Sequence, residues 1–387
     1  MEHESDLVLG SISGSFVGDT MYERLVSSVR VTYPTSKRRK ENDGTKRSAR
    51  KANKAISNSR HSIITPEHLA RTLNIGLDKA KQMLKVTTQK GIRTAAHPIH
   101  RKYRVDHLDL HLSRIRGKWY VDWMTAKTKS IQQNKGAFVY TNDVFTETYP
   151  SKTNQQIPAN ILLNEFCQDV GIPEKLASDR APEFCGHNSA FVKNAKGKGI
   201  DLTYAEPDRK NQIYKVDLEI RELKKRMHNK VQSKSVPRRL WDFALNHSAK
   251  IMQFLPRASL NGRTGYEYIT DKTPDISEFI DFDFYDLVWY FPGAHVGIND
   301  ENRVLGRWLG VSHRIGSDMC YWIMGVSGIP IAETTVQHVT RDEMMNPAVV
   351  SEIEKFNEAL TTRLDDSNFK ISGVNDGFED VYEDLPQ

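Results

Sequence analysis

The chain has little with which to build covalent or metal-thiolate scaffolding. Its 387 residues include only three cysteines, Cys167, Cys185 and Cys320. None forms a CxxC pair, so a disulfide framework and a thiolate zinc site are both unexpected, and any metal must sit on oxygen or imidazole. No run of eighteen apolar residues occurs, and the opening Met-Glu-His-Glu-Ser-Asp is neither basic nor followed by an apolar stretch. Membrane spans and a secretory signal are therefore not expected, which predicts a soluble intracellular protein. What the chain does have is a 38% hydrophobic and 27% charged composition, enough to bury a core and to build two or three modules.

The net charge of +6 conceals an asymmetry. From Arg341 onward there are 4 basic and 12 acidic residues, which leaves 51 against 37 in the preceding 340. A basic body with an acidic tail suggests a polyanionic partner, although a solvated lysine surface gives the same total. Residues 1 to 60 read as a weakly ordered leader with a strand near Leu25 to Val31. Within it, residues 36 to 60 hold 10 basic and 2 acidic residues, which read as a solvated linker or, more sharply, as a phosphate-binding arm or nuclear-import signal.

A small helical segment, residues 61 to 112, follows. Thr65-Pro66-Glu67 is a helix start leading to Leu69, Ala70 and Leu73, Asn74-Ile75-Gly76 is a break, and Leu77 to Val86 repeats the helical spacing. Two short helices around a Gly-containing turn are the outline of a helix-turn-helix and equally of an αα-hairpin. The basic stretch from Lys90 to Arg104 favours nucleic-acid contact. Six histidines (61, 68, 97, 100, 107, 111) lie in this region, but only His107 and His111 have an i, i+4 spacing, so solvated or capping roles are the better account than zinc.

Residues 113 to 256 carry the chemistry. Lys118 to Met124, Ala137 to Thr141 and Phe145 to Tyr149 read as strands of a meander turning at Asn142-Asp143. Ile157 to Val170 is an amphipathic helix, Glu174 to Asp179 a further strand, Tyr214 to Lys230 a helix with Val216, Ile220, Leu223 and Met227 on one stripe, and Trp241 to Leu255 another helix. This order puts Asp122 and Asp179 on strands of one sheet and Asp217 and Glu219 near the start of a helix. Three acids suit Mg²⁺ or Mn²⁺, since hard cations take oxygen ligands and two of them roughly 3.5–4 Å apart support in-line phosphoryl displacement. Taken singly, Asp122 fits a strand end, Asp179 a turn or cap, and Asp217 a solvated first-turn acid. Between Asp208 and Lys250 there are 12 basic and 5 acidic residues. Arg221 and Lys225 follow Asp217 at four-residue steps and could guide a DNA strand.

After Pro274 short strands at 285–290, 307–311, 320–324 and 331–339, with a turn at Val326-Ser-Gly-Ile, predict a small barrel over residues 274 to 340. An acidic helix, Ala348 to Leu360, and a polar tail complete residues 341 to 387.

The residues that carry a family resemblance are Gly117-Lys-Trp-Tyr-Val-Asp122, Ser178-Asp179-Arg-Ala-Pro-Glu183, Ala205-Glu-Pro207, Ile220-Arg-Glu-Leu-Lys224 and Pro237-Arg-Arg-Leu-Trp-Asp242. Toward the C-terminus they are Thr273-Pro-Asp-Ile-Ser277, Phe284-Tyr-Asp-Leu-Val-Trp289, Gly306-Arg-Trp-Leu-Gly-Val-Ser-His313 and Thr334-Thr-Val-Gln-His338. In this order and spacing, from about Thr65 to Thr340, the chain resembles the integrase region of copia-type LTR retrotransposon polyproteins. The resemblance implies an α/β ribonuclease H-like catalytic core with a mixed sheet, preceded by the helix-turn-helix-like segment and followed by an SH3-like β-barrel. It implies a Mg²⁺- or Mn²⁺-dependent polynucleotidyl transferase that joins element ends to target double-stranded DNA in the nucleus, as a homo-oligomer. The first two acids of the family's triad fall on Asp122 and Asp179. Where the family has Glu as the third, this chain has Asp217, with Glu219 two residues on. Arg180 replaces the glycine that follows the second acid, and Arg209-Lys-Asn-Gln-Ile213 replaces the run before the third helix. Arg180, Arg221, Lys224, Lys225, Arg238 and Arg239 are the candidate nucleic-acid contacts. The alternative is a catalytically impaired DNA-binding relic; a helix-turn-helix regulator acting through residues 61 to 104 is a third class.

Overall fold

The computed structural model describes residues 64–89, 112–186, 189–206, 214–292, 303–312 and 320–371. The leader strand, the basic runs at 36–60 and 90–104, five of the six histidines, the Arg209 to Ile213 stretch and the polar tail from residue 372 lie outside them. All of the described residues belong to a single compact unit.

Two helices come first, α1 (Pro66–Thr72) and α2 (Leu77–Val86), with the Thr65 hydroxyl accepting from the His68 amide at 3.2 Å and Pro66 in the first turn. Capping and helical spacing thus set the boundaries. The buried stripe of the pair, Leu69, Leu73, Ala80 and Met83, shares a cluster with Ile251, Phe254, Ile276 and Phe279. A Thr88 backbone exchange with Pro274 and Ile276 fastens the segment further. The His68 ring lies 3.0 Å from the Ile280 carbonyl oxygen, a capping-type role.

The central sheet contains β1 (Arg114–Thr125), β2 (Gly136–Thr141), β3 (Thr146–Ser151), β4 (Ile172–Ser178) and β5 (Asp201–Tyr204), in the order β3-β2-β1-β4-β5. The first three strands are an antiparallel meander; β4 and β5 run parallel to β1 and need crossovers. These are α3 (Gln156–Asp169) and α4 (Ala190–Gly197). Strand alternation divides β1 between two cores. Trp119 and Val121 pack with Phe138, Tyr140 and Phe166, where Tyr140 and Phe166 stack at 4.4 Å. Tyr120 and Met124 face the opposite way, into a cluster with Val139, Ala177 and Val216. Gly136 is required where β2 begins, since a Cβ there would meet the Trp123 ring at 2.3 Å.

On that second face lie α5 (Tyr214–Ser233) and α6 (Trp241–Phe254), followed by α7 (Gly265–Thr270) and α8 (Ser277–Ile280). A second sheet then holds β6 (Leu287–Tyr290), β7 (Val304–Val311), β8 (Tyr321–Met324), β9 (Pro330–Glu333) and β10 (Val336–His338), all antiparallel in the order β10-β6-β7-β8-β9. The segment read as one strand at 331–339 is two, β9 and β10. Helix α9 (Pro347–Asp365) closes the described chain, burying Phe356, Leu360 and Leu364 in the cluster that also contains Val216, Trp308 and Tyr321. One hydrophobic core therefore spans both sheets. The elements that periodicity missed, α4, β5, α7 and α8, are eight residues or shorter, too brief for a stripe to declare itself.

Candidate active site

The β1–β4 pairing register, continued past its last paired residues, aligns two of the three acids. Lys118, Trp119 and Tyr120 on β1 pair with Lys175, Leu176 and Ala177 on parallel β4, a constant offset of 57. Continuing that offset two residues brings Asp122 opposite Asp179, which follows the end of β4. Residues aligned across parallel strands share a face, and two steps from Tyr120 and Ala177 returns to the face that α5 covers. Asp217 lies on the exposed side of the first turn of α5, next to the buried Val216. The three acids thus come from a central strand, its parallel neighbour and the helix packed over them.

Electrostatics agree with this placement. The Asp122 carboxyl is pushed up to about 6, first by burial and then by the negative charges of Asp179, Asp217 and Glu183, against the lowering effect of the Trp123 amide. That amide donates to Oδ1 at 2.7 Å. The charges that act most strongly on Asp122 are those of Asp179, Asp217 and Glu183, so carboxylates crowd around it. Asp179 is held by the Ala181 amide, which donates to its Oδ1 at 3.1 Å.

Glu183 is an addition that sequence reasoning missed. It is buried and accepts from Asn154 Nδ2 at 3.2 Å, while the turn around it is closed by Phe184 and Cys185 amides on the Ala181 carbonyl. Its signal was its position at the end of Ser178 to Glu183, four residues after Asp179, a spacing that says nothing of proximity until the turn is known.

Glu219 goes elsewhere. Arg257 donates to its two oxygens at 3.1 and 3.4 Å and Thr146 Oγ1 adds a contact at 3.4 Å. A two-residue step on a helix turns a side chain about 200°, which separates it from Asp217. Beside the acids, Lys215 pairs with Asp143 in the β2–β3 turn, a bond that also raises the Lys215 ammonium, and Arg257 donates to the Asp143 carbonyl at 2.7 Å.

Of the predicted basic contacts, Arg180, Arg221, Lys225 and Arg238 are exposed and Lys224 is half-buried. Arg239 is engaged as an anchor: its guanidinium donates to the carbonyls of Leu364 (3.0 Å), Asp366 (2.6 Å) and Phe369, at the end of α9. Among the described residues no group of three His, Cys, Asp or Glu side chains closes into a metal cage. The donor chemistry, carboxylate oxygens crowded around Asp122, fits a hard divalent cation. None of the described helices is long and apolar enough to cross a membrane.

Comparison with known proteins found no matching family, and no curated protein matches the chain. Among solved structures, the chain is similar to the catalytic core domain of BIV integrase at 20% identity, covering 40% of this chain and 93% of that one with a TM-score of 0.32. The HTLV-2 integrase catalytic core domain in complex with magnesium is similar at 15% identity over 39% and 95%, TM-score 0.32. The simian T-cell lymphotropic virus intasome in complex with the PP2A regulatory subunit B56 gamma is similar at 14% identity over 71% and 99%, TM-score 0.36.

Proposed function

We propose that the chain is an integrase-like polynucleotidyl transferase of ribonuclease H-like fold, of the copia type, which joins element ends to target double-stranded DNA. The observation that carries this is the β1–β4 register, which continued two residues aligns Asp122 with Asp179, together with the rise of Asp122, first through burial and then through the charges of Asp179, Asp217 and Glu183. Asp122, Asp179 and Asp217 would hold Mg²⁺ or Mn²⁺, which when bound activates an attacking oxygen and stabilises the departing one. The chain's own part is placement. The sheet fixes two carboxylates on rigid backbone, the Trp123 and Ala181 amides orient their oxygens, and the exposed Arg180, Arg221, Lys225 and Arg238 with half-buried Lys224 contact phosphates and hold the substrate in register. Glu219 is assigned to the fold, because its partner is Arg257. Action as a homo-oligomer in the nucleus belongs to the same proposal, supported by the basic run at 36–60.

Strand-transfer assays with Mg²⁺ test it: Asp122→Asn and Asp179→Asn lose product while retaining the wild-type circular dichroism spectrum. Undiminished joining by either variant refutes the assignment. A second reading, a DNA-binding relic without chemistry, is favoured by two observations: Asp217 is a methylene shorter than the family's Glu, and among the described residues the acids do not close into a cage. Asp217→Glu distinguishes the two, since a gain in metal-dependent joining supports an active centre and no joining in either form supports the relic.

A further inference from the structure

Thr125 ends β1 three residues beyond Asp122, and the ten residues from Ala126 to Lys135 form a loop whose ends meet, the Ala126 amide donating to the Lys135 carbonyl at 2.8 Å. Its interior is unusually well tied for a connection between two strands. Ser130 Oγ accepts from the amides of Gln132 and Asn134, both at 3.1 Å. Asn134 Nδ2 donates to Gln132 Oε1 at 3.2 Å and to buried Asp242 at 2.9 Å. The outside of the loop is docked as well: the Ile131 amide donates to the Arg239 carbonyl (3.0 Å), Trp241 Nε1 to the Thr128 carbonyl (2.9 Å) and the Ile371 amide to the Ile131 carbonyl (3.2 Å).

This network buries Ser130, Ile131, Gln132 and Asn134 and leaves Lys127, Lys129 and Lys135 exposed. The exposed Arg238 and Lys370 lie next in sequence to the docking residues Arg239 and Ile371. Among the described residues none of the three loop lysines has a carboxylate partner. Surface lysines ordinarily ride on mobile or helical positions; here three project from a loop fixed at both ends and in the middle, so little further ordering is needed for a ligand to be met. The loop begins about 13 Å from Asp122 at ~3.3 Å per strand residue. That is roughly four phosphates along one strand of a duplex, at ~3.4 Å each.

We infer that the Lys127–Lys129–Lys135 loop is a preformed docking surface for the phosphate backbone of duplex DNA, flanking the acids. This deepens the proposed function and rests on its nucleic-acid reading. The contact carries no base information and sets affinity and register.

The test measures binding of the full chain to a fluorescent 30-base-pair duplex by anisotropy across a salt series. Two charge-matched variants are compared: K127Q/K129Q/K135Q in the loop, and K193Q/K196Q/K272Q at exposed positions on α4 and just after α7. The loop variant is expected to bind about 10-fold or more weakly, with the slope of log affinity against log salt reduced by about 2 to 3, one phosphate contact per lysine. The control variant should keep the wild-type slope. An unchanged slope in the loop variant, or equal changes in both, overturns the inference, as does equal weakening for an acidic polypeptide, which would make the surface a protein contact. Matching thermal midpoints certify that the variants fold. Failure is separable from failure of the acid centre: the first shows in the salt slope of the lysine variant, the second in undiminished joining by Asp122→Asn.

Discussion

In the mixed sheet the central strand carries a half-buried aspartate on which Asp179, Asp217 and Glu183 act, whereas beside the antiparallel sheet Arg303 and Arg307 point their charges at polar partners. Arg307 donates to the Tyr285 carbonyl at 3.1 Å and to Asn357 at 2.6 Å, and Arg303 pairs with Glu343 while lying over the Trp289 ring. Both sheets have five strands and share one hydrophobic core, so packing does not distinguish them. The treatment of charge does. The carboxylates crowded around Asp122 are an electrostatic conflict that an incoming cation would relieve.

The largest effect that could break this contrast is chemical. Asp122→Asn should reduce metal-dependent strand joining by at least about 10²-fold, comparable to deleting a key electrostatic contact in an active site. Measured beside it, Arg303→Gln in the other sheet should leave the rate per folded molecule unchanged. Next comes the shared core. Trp308 is fully buried in β7, packing on His247 of α6 with ring centroids 5.3 Å apart. Trp308→Ala should cost about 3–5 kcal/mol, and calorimetry should show one lowered transition. Two separate transitions would mean that the sheets unfold independently.

Glu219 and Asp217 sharpen the comparison within a single helix. Removing the Glu219 carboxylate leaves Arg257 without its partner at 3.1 Å in a largely buried setting, so Glu219→Ala should cost about 3 kcal/mol in urea denaturation. Asp217→Asn should leave the denaturation midpoint in place and change only joining activity.

The smallest effect is a pH slope from Asp242, a buried acid that sits among donors, Ser130, Asn134 and the Phe243 amide, unlike Asp122 among acids. Burial nevertheless outweighs these bonds and pushes its carboxyl up to about 6. A folded-state value above the unfolded one means that the folded form holds the proton more tightly. The contribution is therefore complete below about pH 4 and is lost as pH rises through about 6, a difference of at most ~3 kcal/mol. Wild-type protein should gain thermal stability relative to Asp242→Asn between pH 7 and pH 5; parallel profiles would contradict this.

Long periodic segments were legible without coordinates. The Val216, Ile220, Leu223 stripe predicted a helix from Tyr214, and the Thr65-Pro66 start and the Asn142-Asp143 turn stand where capping and turn chemistry placed them. Short elements such as α8 were not legible, because four residues carry no period. At the site, the sequence singled out Asp122, Asp179 and Asp217 but offered Glu219 on equal terms. Only Arg257, 38 residues away, shows where that carboxylate is used.

Local chemistry by itself therefore determined which residues enter strands and helices, which faces are apolar, and which carboxylates are candidates. Tertiary structure alone decided three things: that β4 pairs parallel to β1 in the register that puts Asp179 beside Asp122, that Glu183 joins them, and that Arg239 ties down the end of α9 instead of facing solvent. The physical reason is range. Periodicity and capping act within a few residues, whereas register, field and long-range hydrogen bonds depend on which distant segments the core brings into contact.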